Sequence, residues 1–214
     1  MLDCMSDSAH DKEHVYRVLY AALDLAEHER GADLDVLITA CLLHDIGRRE
    51  QFADPTVDHA EAGAQKAMDF LTGCGFSADF ADKVADCIRA HRFRSAAQPR
   101  TLEAKILFDA DKLDVTGAMG IARTIFYQGQ EGLPLYSTDA AGRVLPGGAG
   151  EPDSFFREYK FKLEKLYDNF YTERGRQLAR QRRKAALDFY ESLLNEAVPV
   201  GEKGRSLLAA AVEQ

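Results

Sequence analysis

Apolar residues recur at steps of three and four along most of this chain, and that spacing admits helices and little else. Between Asp11 and Glu27, the residues Val15, Val18, Leu19, Ala22, Leu25 and Ala26 share one helical face, with Asp11 suited to the N-cap. A second helix is expected to start after Asp33 and to run through Leu37, Cys41 and Leu42 to Ile46, where Gly47 supplies a left-handed stop. Asp54-Pro55-Thr56 reads as a turn into a helix from His59 to Leu71, closed by Gly73 and Gly75. Ser77 can cap the next helix, where Phe80, Val84, Ile88 and His91 line up along one side. Another begins near Thr101 and carries Leu102, Ile106, Leu107 and Leu113; Gly117 and Gly120 follow in a stretch where they permit close packing or a kink. No strand-period run competes with these, so the fold class is all-α.

The pattern lapses from Gln128 to about Pro152, where Gly129, Gly132, Pro134, Gly142, Pro146, Gly147, Gly148 and Gly150 mark a long loop. A loop of that length serves as a lid, a binding loop or slack. Beyond it the spacing predicts two helices, over 154–172 with Phe156, Tyr159, Leu163, Leu166 and Phe170 on one face, and over 173–197. The expected organisation is a helical core over 8–127, the Gly/Pro-rich loop over 128–153, C-terminal helices over 154–197 packed on the core, and a tail over 198–214.

With 214 residues and 46% hydrophobic content, the chain can bury one sizeable core with an appendage. A formal net charge of -8 argues against non-specific nucleic-acid binding, which needs a cationic surface. A small anionic substrate is compatible with it, because a bound metal and a few arginines invert the local field. Cys4, Cys41, Cys74 and Cys87 show no CxxC spacing, which speaks against a disulfide framework or a structural zinc site. The polar, acidic N-terminus carries no signal-like segment, and no apolar run approaches the roughly 20 residues that span a bilayer. A cytoplasmic protein without membrane partners is expected.

Chemistry concentrates in His14, the adjacent pair His44-Asp45, His59, His91 and the run Asp109-Ala110-Asp111. Each has a plainer reading when taken singly: a first-turn core histidine for His14, a surface ion pair at a helix end for His44-Asp45, a solvated helix face for the acidic run. Several lie on or beside apolar faces, however, where an imidazole or carboxylate is costly to bury without a partner. A divalent cation would satisfy them. Adjacent helical positions diverge by about 100°, so His44 and Asp45 can both reach a cation lying against their helix, one from each flank.

The combination is more specific than its parts. His14-Val15-Tyr16-Arg17-Val18, then Leu42-Leu43-His44-Asp45-Ile46-Gly47, then Asp109-Ala110-Asp111-Lys112-Leu113-Asp114 resemble, in order, the motifs of the HD superfamily of metal-dependent phosphohydrolases. That likeness runs from about Ser8 to Arg123, and the segment from Phe155 to Glu196 resembles the trailing helices of small stand-alone bacterial members. The resemblance implies an HD-domain helical bundle with additional C-terminal helices. It also implies a metal held by His14, His44, Asp45 and Asp111, with Asp109 and Asp114 outside the ligand set. Two imidazoles and two carboxylates suit Mn²⁺, Mg²⁺, Fe²⁺, Co²⁺, Ni²⁺ or Zn²⁺ without selecting one, and leave positions for water and a phosphate oxygen.

In HD-GYP-type phosphodiesterases, histidines placed like His59 and His91 bind a second metal; in mononuclear members they contact phosphate or protonate the leaving group. The GYP motif is missing here, and Arg92 stands where a paired histidine would follow His91. One metal is therefore expected, with His59 and His91 as phosphate contacts or general acid; capped core histidines are the plainer reading. Lys112, Arg48 and Arg92 are the expected phosphate contacts. By resemblance the substrate is a nucleotide, with a nucleoside triphosphate cleaved to monophosphate and pyrophosphate as the specific expectation. The alternatives are a nucleotidase, a cyclic or alarmone nucleotide phosphodiesterase, and a metal- or nucleotide-binding regulatory module without turnover. A homodimer stays open.

Overall fold

A computed structural model of the protein describes residues 11–92 and 97–212; the N-terminal stretch with Cys4, and Phe93 beyond Arg92, lie outside the described residues. The described residues form α-helices with no β-strand, apart from one isolated antiparallel bridge between Thr138 and Val144. The all-α expectation holds. In order these are α1 (Lys12–Glu27), α2 (Leu34–Leu43), α3 (Arg48–Ala53), α4 (His59–Gly73), α5 (Ala78–Ala90), α6 (Leu102–Leu113), α7 (Gly117–Gln130), α8 (Phe155–Phe161), a 3₁₀ helix (Leu163–Asp168) and α9 (Glu173–Val212).

The chain divides into two compact units. The first holds the chain through Asp114 together with Phe170–Leu178, and the second holds Val115–Asn169 and the chain from Ala179 onward. In the first unit α4 packs along α5, α1 against α2 and α6, and α2 against α5 and α6. Val15, Val18, Ala22 and Leu25 of α1, Val36, Leu37 and Ala40 of α2, Val84, Ala85 and Ile88 of α5, and Ile106, Leu107 and Leu113 of α6 are buried between them. Their three- and four-residue spacing is the stripe a core-facing helix needs. Several helix starts are capped as their sequences dictate: Asp11 accepts from the His14 N–H, Ser77 from Phe80 and Thr101 from Ala104.

Asp109 is one of the residues that tie Phe170–Leu178 to this unit. That side chain is fully buried and accepts from the Tyr171 N–H (2.9 Å), the Thr172 N–H (2.7 Å) and the Thr172 hydroxyl (2.7 Å). Burial raises its pKa, against the hydrogen bonds from Tyr171 and Thr172, which lower it.

Two expectations about α2 are corrected. The helix ends at Leu43, with His44 as its C-cap, instead of continuing to Ile46. Gly47 has φ -87°, so it is no left-handed stop. What it supplies is room: a Cβ there would overlap the carbonyl oxygen of His59 and the nitrogen of Gly63. The turn after α2 thus lies backbone to backbone against the first turn of α4, which the run Ala60, Ala62, Gly63, Ala64 allows. Where α4 ends, Gly75 turns the chain at φ 88°, a conformation that favours glycine.

The second unit is organised around aromatic rings. Phe155, Phe156, Tyr159, Leu163 and Leu166 are buried, Tyr159 stacks on Tyr190 of α9 at 4.3 Å between ring centroids, and the Tyr190 hydroxyl donates to the Pro146 carbonyl (2.6 Å). The apolar positions expected over 154–172 are buried, but the segment breaks at Lys162 (φ -123°, ψ -60°) into α8 and the 3₁₀ helix. Helix α9 continues through Pro199 to Val212, well past the expected end at 197. Periodicity carries no record of the first event, because a 3₁₀ turn keeps nearly the same apolar face; Pro199, which costs a helix interior a hydrogen bond and a clash, marked the expected end that α9 runs through.

The Gly47 contact yields a test. Gly47→Ala is expected to lower the unfolding midpoint, by the 1–3 kcal/mol or so that overpacking costs. Gly73→Ala, where a Cβ meets nothing within 4 Å, should be neutral or stabilising. Equal midpoints for the two variants in thermal unfolding would refute the close approach.

Candidate metal centre

All four buried histidines sit at helix ends of the first unit. His14 is in the first turn of α1, His44 caps the C-terminus of α2, His59 opens α4 and His91 caps the C-terminus of α5. Each is at most 2% exposed, and Asp45, in the turn after α2, is likewise 2% exposed. The solvated surface pair is thereby excluded for His44-Asp45. Asp111 lies in the last turn of α6 with 16% of its side chain exposed, and Asp109 and Asp114 are buried, so the acidic run is no solvated face.

These side chains converge. His14 Nε2 lies 3.3 Å from His44 Nε2, 3.5 Å from Asp45 Oδ2 and 3.6 Å from Asp111 Oδ1. His44 Nε2 lies 3.5 Å from Asp45 Oδ2. On the other side of the same carboxylate, His91 Nε2 and His59 Nε2 stand 3.6 and 3.8 Å from Asp45 Oδ1. Among the described residues two groups can hold a metal ion, His14-His44-Asp45 and Asp45-His59-His91, and Asp45 belongs to both.

The outward nitrogens fix which atom faces the centre. His44 Nδ1 is 2.7 Å from the Cys41 carbonyl, His91 Nδ1 is 2.6 Å from the Ile88 carbonyl, and His14 Nδ1 is 2.7 Å from Asp114 Oδ2. A carbonyl or carboxylate oxygen only accepts, so each Nδ1 carries the hydrogen and each Nε2 is the nitrogen that faces the centre. Arg17 clamps Asp114 in turn, through Nε (2.8 Å) and a terminal guanidinium nitrogen (3.1 Å).

Burial drives the His44 pKa down to about 4 and that of His59 to about 2, so both are neutral near pH 7. Burial alone would raise Asp45; Arg48, His44, His14 and His91 outweigh it and hold the carboxyl well below its usual range. For Asp111, burial is likewise outweighed by Lys112 and the surrounding histidines.

The result is a buried meeting of acceptors. Asp45 Oδ2 has no hydrogen-bond donor, and neither ring nitrogen of His59 has a partner. A divalent cation supplies what such a set lacks, and mixed imidazole-carboxylate donors fit one.

The cationic residues are placed as follows. Arg48 Nε bonds Asp45 Oδ1 (2.9 Å), and Arg92 bonds Asp58 (2.8 Å), the N-cap of α4. Lys112 is buried, its ammonium bonded to Asp111 Oδ2 (2.7 Å) and the His91 carbonyl (3.2 Å) and lying over the Phe108 ring. Sequence reasoning left Asp114 and Arg17 without a part in the site. Their signal was present: each follows His14 or Asp111 by three residues, hence on the same helical face.

Comparison with known proteins agrees with this arrangement. The HD domain family matches residues 12–116. YpgQ of Bacillus subtilis is 32% identical over 190 residues, which span 87% of this chain and 83% of YpgQ.

The chain belongs to the HD domain family.

Solved structures are similar to it over most of their length. The crystal structure of YpgQ in complex with ADP has a TM-score of 0.67 at 29% identity, covering 88% of this chain and 90% of that one. An HD-superfamily hydrolase from Bacillus thuringiensis has a TM-score of 0.63 at 30% identity, covering 89% and 88%. A protein from Lactobacillus plantarum has a TM-score of 0.73 at 28% identity, covering 91% and 92%. No described helix of this HD protein is long and apolar enough to cross a membrane.

The depressed histidines set the acid limit of the metal-free fold. Unfolded, His44 and His59 titrate near 6.5; folded, they resist protonation to about 4 and about 2. As pH falls below about 6.5 the unfolded chain therefore takes up protons first, and the stability present above that pH is lost towards pH 4. Chelator-treated protein should show a falling unfolding midpoint from pH 7 to 4.5; a flat profile would contradict the burial of neutral imidazoles.

Proposed function

We propose that this protein hydrolyses a phosphoanhydride or phosphoester bond of a nucleotide with a divalent cation held by His14, His44, Asp45 and Asp111. The convergence of ring nitrogens on Asp45, whose Oδ2 has no hydrogen-bond donor, carries this reading. YpgQ, 32% identical and solved in complex with ADP, supports a nucleotide substrate. A bound divalent cation lowers the pKa of a coordinated water and offsets charge on phosphorus. The protein's own contribution is to hold the donors in place before substrate arrives. His44 presents a neutral nitrogen, His14 turns its Nε2 to the same point, Asp45 and Asp111 present negative charge, and burial excludes competing water.

His59 and His91 flank Asp45 Oδ1 on the side away from His14, where inward ring nitrogens suit ligation of a cation better than proton donation. The shared position of Asp45 also supports a second cation on this face. Arg48 and Arg92 are partly exposed and reach phosphate oxygens through charge-assisted hydrogen bonds. Lys112 stands beside Asp111, and so beside any phosphate oxygen brought to that carboxylate. Cleavage of a nucleoside triphosphate to monophosphate and pyrophosphate is the specific form of this proposal.

Purified protein assayed on a panel of nucleoside mono-, di- and triphosphates and cyclic nucleotides with Mn²⁺, Mg²⁺ or Co²⁺ should release pyrophosphate from a triphosphate. Asp45→Ala should lose both metal and turnover while keeping its helix content, and hydrolysis retained in that variant would overturn the mechanism. Arg92→Ala removes a contact of about 1.5–3 kcal/mol, roughly ten- to a hundredfold in KM, with kcat little changed. An unchanged KM would take Arg92 out of the substrate site.

A further inference from the structure

We propose that Asp114, braced by Arg17, is a positioning residue that sets the metal affinity of the site through His14. The inference rests on the reading of His14 as a metal ligand and extends it one shell outward. Three observations carry it.

The first is the repeat of one spacing on two helices. On α1, Arg17 follows His14 by three residues; on α6, Asp114 follows Asp111 by three. Residues three apart stand one above the other on a helix, so each inward-facing group has its follower directly beside it. Where α1 and α6 pack together, the two followers meet: Arg17 grips Asp114 with two hydrogen bonds, at 2.8 and 3.1 Å.

The second is the geometry at the imidazole. Asp114 Oδ2 lies 2.7 Å from His14 Nδ1 and is 5% exposed, as befits a short, desolvated contact. A carboxylate there can only accept. It therefore keeps the hydrogen on Nδ1, leaves Nε2 as the lone-pair nitrogen, and fixes the rotation of the ring that aims Nε2 at Asp45 and Asp111.

The third is how differently the other imidazoles are held. His44 and His91 rest on backbone carbonyls three residues back, Cys41 and Ile88, a support that belongs to their own helix ends. His14 lies in the first turn of its helix, where its backbone N–H is bonded to the Asp11 side chain. Its support comes from another helix, 100 residues away, and it carries a full negative charge. That charge makes the imidazole a stronger donor to a cation than a carbonyl does. The remaining half of the guanidinium-carboxylate pair prevents Asp114 from swinging towards the cation itself.

The test is the Mn²⁺ affinity of the full chain, stripped by chelator and titrated calorimetrically, with the unfolding midpoint of each metal-free variant as control. Asp114→Asn should bind Mn²⁺ roughly ten- to a hundredfold more weakly. Arg17→Gln, which leaves the carboxylate but frees it to move, should show a smaller loss, and Arg17→Lys should recover part of it. A purely structural role would lower the midpoint of Asp114→Asn and leave the Mn²⁺ affinity of its folded fraction at the wild-type value; that result overturns the proposal. If Asp114→Asn does not fold, ¹⁵N shifts of the His14 ring in metal-free wild type decide. Hydrogen on Nδ1 supports the proposal, whether or not Nε2 also carries one, and a bare Nδ1 defeats it. Wild-type protein that binds no Mn²⁺, or Asp45→Ala that binds as well as wild type, defeats the metal reading itself. Wild-type-like binding by Asp114→Asn beside normal loss in Asp45→Ala defeats only the part given to Asp114.

Discussion

Lone pairs that face each other inside a protein repel unless something positive lies between them, and this centre brings several together around Asp45. The helices of the first unit begin and stop where that meeting requires. His44 and His91 each end a helix and donate Nδ1–H to a carbonyl of its last turns, so a single bond satisfies an end-of-helix acceptor and turns the other nitrogen inward. The packing of α1, α2, α4, α5 and α6 is thus inseparable from the chemistry at their tips. Apolar burial supplies the free energy that holds together a set of acceptors which would otherwise drive the tips apart.

How close the tips come is decided by backbone rather than by side chains. Gly47 and Gly63 let the turn carrying Asp45 rest against the start of α4, and His59 is brought beside Asp45 by that contact. A bulkier residue at either point would move one histidine relative to the carboxylate they share, so the same pair of glycines sets the spacing of the two halves of the site.

Much of this was legible in the sequence. The helical periods, the caps at Asp11 and Ser77, and the gathering of His14, His44, Asp45, His59, His91 and Asp111 all rest on local spacing or on a motif order that leaves a direct trace. The end of α2 at Leu43 does not, because Asp45 and Ile46 continue the apolar and polar alternation although the backbone has left the helix. Gly47 was read through its own conformation, whereas its reason lies in a neighbour across the fold. The partnership of His14 with Asp114 joins positions that share no local pattern beyond an equal step of three. Lys112 was expected at a substrate phosphate from its place after Asp111; only the packing reveals its ammonium turned onto Asp111 and the His91 carbonyl.

The bonds that Asp109 makes have a practical corollary for anyone who wishes to express the metal-binding half by itself. That half is not one uninterrupted stretch: Tyr171 and Thr172, encoded far downstream, supply the donors to a carboxylate two positions from Asp111. A fragment cut anywhere between Asp114 and Phe170 would strip this acid of those donors and uncover it. The disturbance would fall on the same helix turn that presents Asp111. Excision would therefore have to carry the downstream stretch along, by circular permutation or a grafted linker.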